Sequence, residues 1–288
     1  MLGIFDHSST HIFLFSLVLG ISAMAIMGNT LVVLFLYLDT QLHTPMYFLL
    51  GQLSLMDLML ISTTVPKMAF NHLSGSKPIT MADCATHIFI YTSLTGCECF
   101  LWAVMAYDCN VATCHPLRYT SLMRPKICGL MTASSWVLGS TDGVIDAVVT
   151  FSFSYCGSRV VAHFCDFPFL LVIECNDTSI FEEVLFYCCI IIILFPVAVI
   201  IASYARVLLT VIHMGSGKGR HRVFATCSSH LMVVGMYYKQ FCLCTCDLLL
   251  IVPHPGQDDV CLLHHHHSHT TLNPLIYSFH NKEVACAF

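Results

Sequence analysis

The chain has 288 residues, 57% of them hydrophobic and only 10% charged, and its mean hydropathy of +0.77 places it outside the soluble globular class and in a bilayer. A net charge of -5 with scattered Lys and Arg excludes a nucleic-acid partner, because phosphate binding needs a basic face. The 17 cysteines do not make a disulfide scaffold, since most lie inside apolar runs where a free cysteine packs as a small hydrophobe.

Crossing ~30 Å of hydrocarbon takes ~20 apolar residues in a helix, and runs of that length recur along the chain. The first, Ile12 to Leu38, holds Asn29. It is too long for a cleaved signal, has no basic leading segment, and is expected to serve as its own anchor. The second, Pro45 to Phe70, holds Asp57 within LSLMDL, and the third, Ala85 to Tyr107, holds Glu98 within GCECF. Ile127 to Val149, Val184 to Ile212, Val223 to Val252 and Val260 to Phe279 complete the series. These runs predict one domain over 1–288, an all-α bundle of seven transmembrane helices. The last two spans are interrupted, because 239–271 contains PHPGQDD and HHHHSH, neither of which suits a helix facing lipid.

Basic residues give the orientation. Arg118, Arg124 and Lys126 follow span three, Arg206, Lys218, Arg220 and Arg222 surround the loop after span five, and Lys282 follows span seven. This side is therefore cytoplasmic and the amino terminus is outside. The segment from Thr150 to Glu183 is then extracellular, with Cys156, Cys165 and Cys175, while Cys84 opens span three on the same side. Pairing among these four is expected in an oxidising compartment, whereas Cys109, Cys114 and Cys227 face the reducing cytosol. Asn176, in Asn-Asp-Thr, is the one glycosylation acceptor triplet.

An ionisable group at mid-bilayer costs ~2.5 to 3.5 kcal/mol on insertion scales. Asp57 and Glu98, with the polar Asn29, are therefore expected to face the bundle interior, either joining helices or forming a polar site that differs between two conformations. Asn273-Pro274 in span seven belongs with them, since Pro274 frees a backbone carbonyl that needs a polar neighbour.

The series Gly28-Asn29, LHTPMYFLL at 42–50, LSLMDL at 53–58, MAYD and ATCHPLRY within 105–119, Ser203-Tyr204, FATCSSHL at 224–231 and NPLIYS with NKEV within 273–284 resembles the olfactory receptors, a branch of the rhodopsin-like G-protein-coupled receptors. The resemblance runs from the first span to about Tyr238 and resumes at Asn273. It implies an odorant receptor in the plasma membrane, with a small hydrophobic odorant-like molecule held in the helix bundle and a heterotrimeric G protein as partner. It implies a bridge from Cys84 to Cys165 and a second from Cys156 to Cys175. The interior polar network it implies comprises Asn29, Asp57, Glu98, Asn273 and Tyr277. No cofactor is expected other than a sodium ion as candidate occupant near Asp57 and Glu98. Tyr91, Thr92 and Thr95 on span three, with Tyr238 on span six, are the candidate pocket residues, chosen by facing alone for a small, mostly apolar cavity.

The chain departs from the family at two places. The coupling switch is normally Asp-Arg-Tyr, and here it reads Asp108-Cys109-Asn110. A thiol has neither a permanent charge nor a planar fork of donors, so Asp108 is expected to lose its partner and the contact with the G protein to be missing. A decayed receptor that does not couple, and is held in the endoplasmic reticulum, is the alternative reading. The second departure is 239–271. Cys261-Leu262-Leu263-His264-His265 can be encoded TGT CTT CTA CAC CAT, and dropping the first base reads Val-Phe-Tyr-Thr followed by Ile or Met, the family's usual start of span seven. That stretch reads as the family's own sequence in a shifted frame. No metal site is expected from its Cys and His clusters, because single-residue spacing is unlike zinc motifs. An enzyme is excluded by the absence of a Ser-His-Asp grouping, phosphate loop or HExxH motif. A transporter or channel would call for internal repeats or paired broken helices, which the sequence does not display.

Overall fold

The computed structural model describes residues 9–39, 44–74, 81–152, 179–213, 227–228 and 230–239. They are helical almost throughout. Helix α1 is Ser9–Leu38, α2 is Pro45–Ser74 and α3 is Met81–Cys114. A 3-10 turn, Pro116–Arg118, leads into the one-turn helix α4, Tyr119–Leu122, and α5 follows as Pro125–Ser152. Helix α6 is Ser179–His213, and α7 covers 230–239. The expected spans from Ile12 to Ile212 thus fall on α1, α2, α3, α5 and α6. The expected sixth span falls only in part on α7, and the seventh, 260–279, lies outside the described residues, as does most of 239–271.

Two compact units make up the fold: Met1–His72 with Val211–Phe288, and Leu73–Thr210. In the first, α1 buries Val18, Ser22, Ala25, Asn29 and Val32, a three- and four-residue spacing that marks one stripe of a helix. Its other faces are as apolar: Leu17, Met24, Met27, Leu34 and Tyr37 are exposed. Leu36 Cδ1 of α1 comes within 3.2 Å of where a β-carbon on Gly51 of α2 would stand, so a small residue sets how closely these helices approach.

In the second unit α3 is the buried element, with Ser93 to Ala106 inside on every face. Around it α5 and α6 turn large apolar side chains outward, among them Val137, Val144, Val148, Ile191, Phe195 and Ile201. Large apolar side chains on the outer faces are the arrangement that a hydrocarbon solvent selects. Hydroxyls within the helices bond back to carbonyls one turn earlier, as Ser22 does to Val18 O at 2.8 Å and Ser135 to Met131 O at 3.0 Å, which satisfies them without water.

Among the described residues, four helices are long and apolar enough to cross a membrane: Phe15–Leu38, Pro45–Pro66, Ala82–Cys114 and Ile190–His213. Helix α5 has the length but is not among them. Its sequence explains why, since Thr132, Ser134, Ser135, Ser140, Thr141, Asp142 and Asp146 interrupt the apolar run. What holds α5 is α3. A β-carbon at Gly139 would collide with the backbone nitrogen of Cys97, lie 2.5 Å from its Sγ and lie 2.6 Å from Ser93 O. One at Gly143 would collide with Ser93 Oγ and lie 2.6 Å from Phe89 O. Gly139 and Gly143 are four residues apart, the small-xxx-small pattern that lets helix backbones touch in a membrane. The thiol of Cys97 adds a 3.7 Å hydrogen bond to Trp136 O across the seam.

Candidate functional site

The 115–124 turn is built by local rules. Helix α3 closes with His115 N donating to Val111 O at 2.9 Å. Pro116, which has no N–H to offer, then opens the 3-10 turn. Arg118 N donates to His115 O at 3.0 Å, and Tyr119 N donates to Pro116 O. Met123 N donates to Tyr119 O at 2.8 Å, and Ile127 N and Cys128 N both donate to Arg124 O at the start of α5. The chain is thereby folded back so that the Tyr119 hydroxyl donates to Asp108 Oδ1 at 2.9 Å.

This corrects the expectation that Asp108 loses its partner. Asp108 is only 4% exposed, and Tyr119 supplies the hydrogen bond that a buried carboxylate requires. Cys109 is half-buried and not in a disulfide. Asn110 is 5% exposed, and its Oδ1 has no hydrogen-bond partner among the described residues. Burial pushes the Tyr119 phenol well above its ordinary value, and the neighbouring Asp108 pushes it further.

Beside this bond lies a surface. Leu117, in the 3-10 turn, is 98% exposed, and Arg118, Arg124 and Lys126 are exposed around it. At the same ends of the helices the Cys114 thiol and the Thr210 hydroxyl are 3.1 Å apart. Because Thr210 donates to Arg206 O at 2.9 Å, the thiol is the donor in that pair, joining α3 to α6.

The expected interior residues divide between the units. Asn29 and Asp57 are buried in the first, where Asn29 Nδ2 donates to Ala25 O at 3.1 Å. Glu98 is buried in the second. Asn273 and Tyr277 lie outside the described residues. Cys84 is buried and disulfide-bonded, while Cys97, Cys99, Cys109, Cys114, Cys128, Cys188 and Cys227 are not in disulfides. Its expected partner Cys165, the expected pair Cys156 and Cys175, and Asn176 lie outside the described residues.

Of the candidate pocket residues, Thr95 and Tyr238 are buried, and Tyr91 and Thr92 are half-buried. Tyr238 packs edge-on against Tyr237, with ring centres 5.5 Å apart. Thr92 donates to Ile88 O at 2.8 Å and shares a hydrogen bond with Asp146 of α5, which sets it on the α5 side of α3. Sequence reasoning passed over Asp146 and its neighbour Asp142. The signal was present: two carboxylates one helical turn apart inside an expected span. Phe100 of α3 meets Phe195 of α6 at 6.4 Å between ring centres.

Comparison with known proteins places these features in a lineage. A family profile described as olfactory receptor matches residues 15–287. The chain is similar to olfactory receptor 2M7 of Homo sapiens, 68% identical over 288 residues that span 100% of this chain and 92% of the relative. It is 67% identical to olfactory receptor 2M3 of Homo sapiens, again over 100% of this chain and 92% of the relative. Olfactory receptor 2M2 of Homo sapiens is 66% identical, over 100% of this chain and 83% of the relative.

Proposed function

The chain belongs to the olfactory receptor family, and we propose that this odorant receptor engages its heterotrimeric G protein through the 115–124 turn, held in place by Tyr119 on Asp108. It is a rhodopsin-like receptor of the multi-pass plasma-membrane class and not an enzyme. The reading as a decayed chain is not favoured, because the likeness at 68% identity extends over the whole chain and the buried face of α3 is intact.

The observation that carries the proposal is the 2.9 Å bond from Tyr119 to Asp108. It keeps Asp108 satisfied without an arginine at 109 and fixes the turn that presents Leu117. An exposed leucine on a turn that also carries exposed Arg118 and Arg124 suits an amphipathic partner, because it offers both apolar area and charge. The Lys and Arg distribution supports an outside amino terminus and a cytoplasmic turn. An odorant would sit among the outer halves of the helices, with Tyr91, Thr92 and Thr95 of α3 among the lining residues.

The test is Leu117→Asp in cells where surface protein is measured by an extracellular tag. Odorant-evoked cAMP should fall to background while surface protein is unchanged. An undiminished response would overturn the assignment of the turn as the coupling surface.

A further inference from the structure

The 115–124 turn carries a hydroxyl that has had no part in the argument for coupling. Ser121 is exposed in the one-turn helix α4, with Arg118 three residues before it and Arg124 three residues after, both exposed as well. Arg124 folds back toward it, its Nε donating to Ser121 O at 3.0 Å. Between His115 and Cys128 the sequence has no Asp or Glu, and Asp108 is occupied by Tyr119. Among the described residues the Ser121 hydroxyl makes no hydrogen bond, whereas Ser134, Ser135 and Thr141 of α5 each donate to a carbonyl one turn earlier.

Such a hydroxyl is placed to carry a dianion. A guanidinium brings a fixed charge and a planar fork of donors that matches phosphate oxygens. Two of them flank Ser121, and no acid stands near in sequence to repel the new charge. The backbone also yields readily. Helix α4 is closed by the bond from Met123 N to Tyr119 O at 2.8 Å, and a helix of one turn gains nothing from propagation, so it opens easily to the extended form that a kinase cleft accepts.

We propose that Ser121 is a phosphorylation site for an arginine-directed serine kinase, which reads Arg118 and leaves the phosphate clamped by Arg124. In the transfer the Ser121 Oγ bonds the γ-phosphorus of ATP as the bond to the β-phosphate oxygen breaks. ADP departs, and the hydroxyl proton passes to the kinase's catalytic carboxylate. The added charge of about -1.5 to -2 offsets most of the positive charge of Arg118, Arg124 and Lys126, four residues from Leu117. Phosphorylation thereby turns coupling down. That consequence, and access by a cytosolic kinase, rest on the reading of the turn as the cytoplasmic coupling surface, whereas the site rests on the geometry.

The experiment incubates the full chain, purified in detergent so that both of its ends are accessible, with ATP and the catalytic subunit of cyclic-AMP-dependent protein kinase. Peptide mass spectrometry should find phosphate at Ser121 and not at Thr120, its exposed neighbour. Arg118→Ala should lower the initial rate about tenfold, the loss of one charge-assisted contact. In a phosphorus resonance titration the phosphate should ionise below its ordinary value of ~6, and Arg124→Gln should return it there. No phosphate at Ser121 of the unmodified chain would overturn the site whatever the variants do, and a phosphate that titrates alike with and without Arg124 would overturn the clamp. Receptor-dependent nucleotide exchange on an added heterotrimeric G protein, measured after the kinase is removed, separates the two readings. Exchange that falls toward background on phosphorylation, and does not fall in Ser121→Ala treated alike, supports both. Phosphate at Ser121 with undiminished exchange leaves the site standing and removes the turn as the coupling surface. Exchange without phosphate at Ser121 leaves the coupling turn standing and removes the site.

Discussion

The hydroxyl of Tyr119 donates to Oδ1 of Asp108 across 2.9 Å, between residues 11 apart in sequence. One belongs to the buried end of α3 and the other to the first turn after it, so the bond ties the shape of the 115–124 turn to the most buried helix of its unit. The side chain next to Asp108 is a thiol, and the phenol takes over the task of satisfying the carboxylate.

Tyr119→Phe removes the donor while keeping the ring. A hydrogen bond to a charged group contributes ~1.5 to 3 kcal/mol, and detergent-solubilised protein should lose stability of that order by thermal melting. Adding Asp108→Asn to Tyr119→Phe should cost less than the sum of the two single changes, since both break one bond. Strict additivity would show that the residues act separately.

The same bond has a pH signature. The Tyr119 phenol is raised in the folded protein above the ordinary value of ~10. A raised folded value means that the contribution is fully present below the unfolded value and is lost as pH rises through the folded one. Ultraviolet titration should therefore show Tyr119 ionising after exposed tyrosines, and Asp108→Asn should bring its transition to lower pH, because both the negative charge and the hydrogen bond to it contribute to the upward shift.

Cys109→Arg should strengthen coupling. Cys109 is half-buried, so the longer side chain has a way out, and one charge-assisted hydrogen bond of ~1.5 kcal/mol would raise G-protein affinity about tenfold. Changing Asn110 to Tyr at the same time is inadvisable on this structure, because Asn110 is 5% exposed and a ring there would overpack the site. Agonist dose-response curves in cells with matched surface protein would check the gain, and an unshifted curve would count against it.

Gly143→Ala should be poorly tolerated. Its β-carbon meets Ser93 Oγ and the backbone of Phe89, and overpacking of this kind costs ~1 to 3 kcal/mol. Gly129→Ala is the control within α5, since nothing lies within 4 Å of its β-carbon and alanine is favoured over glycine in a helix by ~1 kcal/mol. Surface yield should fall for the first and hold or rise for the second. Similar yields would mean that the α3 and α5 backbones do not approach as described.

Cys84→Ser should reduce folded surface protein, with the ~2 to 5 kcal/mol typical of a lost native bridge. If Cys165 is the partner, Cys165→Ser should match it, and the double replacement should be no worse than either. A larger loss in the double variant would assign Cys84 another partner.

Long apolar runs made the helices through Ile212 legible, because a hydrocarbon solvent demands continuous helix and leaves few alternatives. The motifs made the family legible for a different reason: they are specific combinations in a fixed order. The partner of Asp108 could not be read, because Tyr119 reaches it only through a turn whose geometry is set by Pro116 and a chain of backbone bonds. Asp142 and Asp146 stand one helical turn apart in an expected span, a pattern that the sequence carries openly. Their facing toward α3 needed the structure, since periodicity gives a shared face but not what it touches.

The seam between α3 and α5 bears on how the chain is made. A segment interrupted by two carboxylates and several hydroxyls has a weak claim of its own to leave the translocon for lipid. Its glycines fit a groove on a segment synthesised earlier, so membrane entry of α5 becomes a joint event in which α3 acts as the template. Biogenesis then has an obligatory order, and a lesion in α3 at Ser93 or Cys97 would strand a helix that the ribosome has not yet finished.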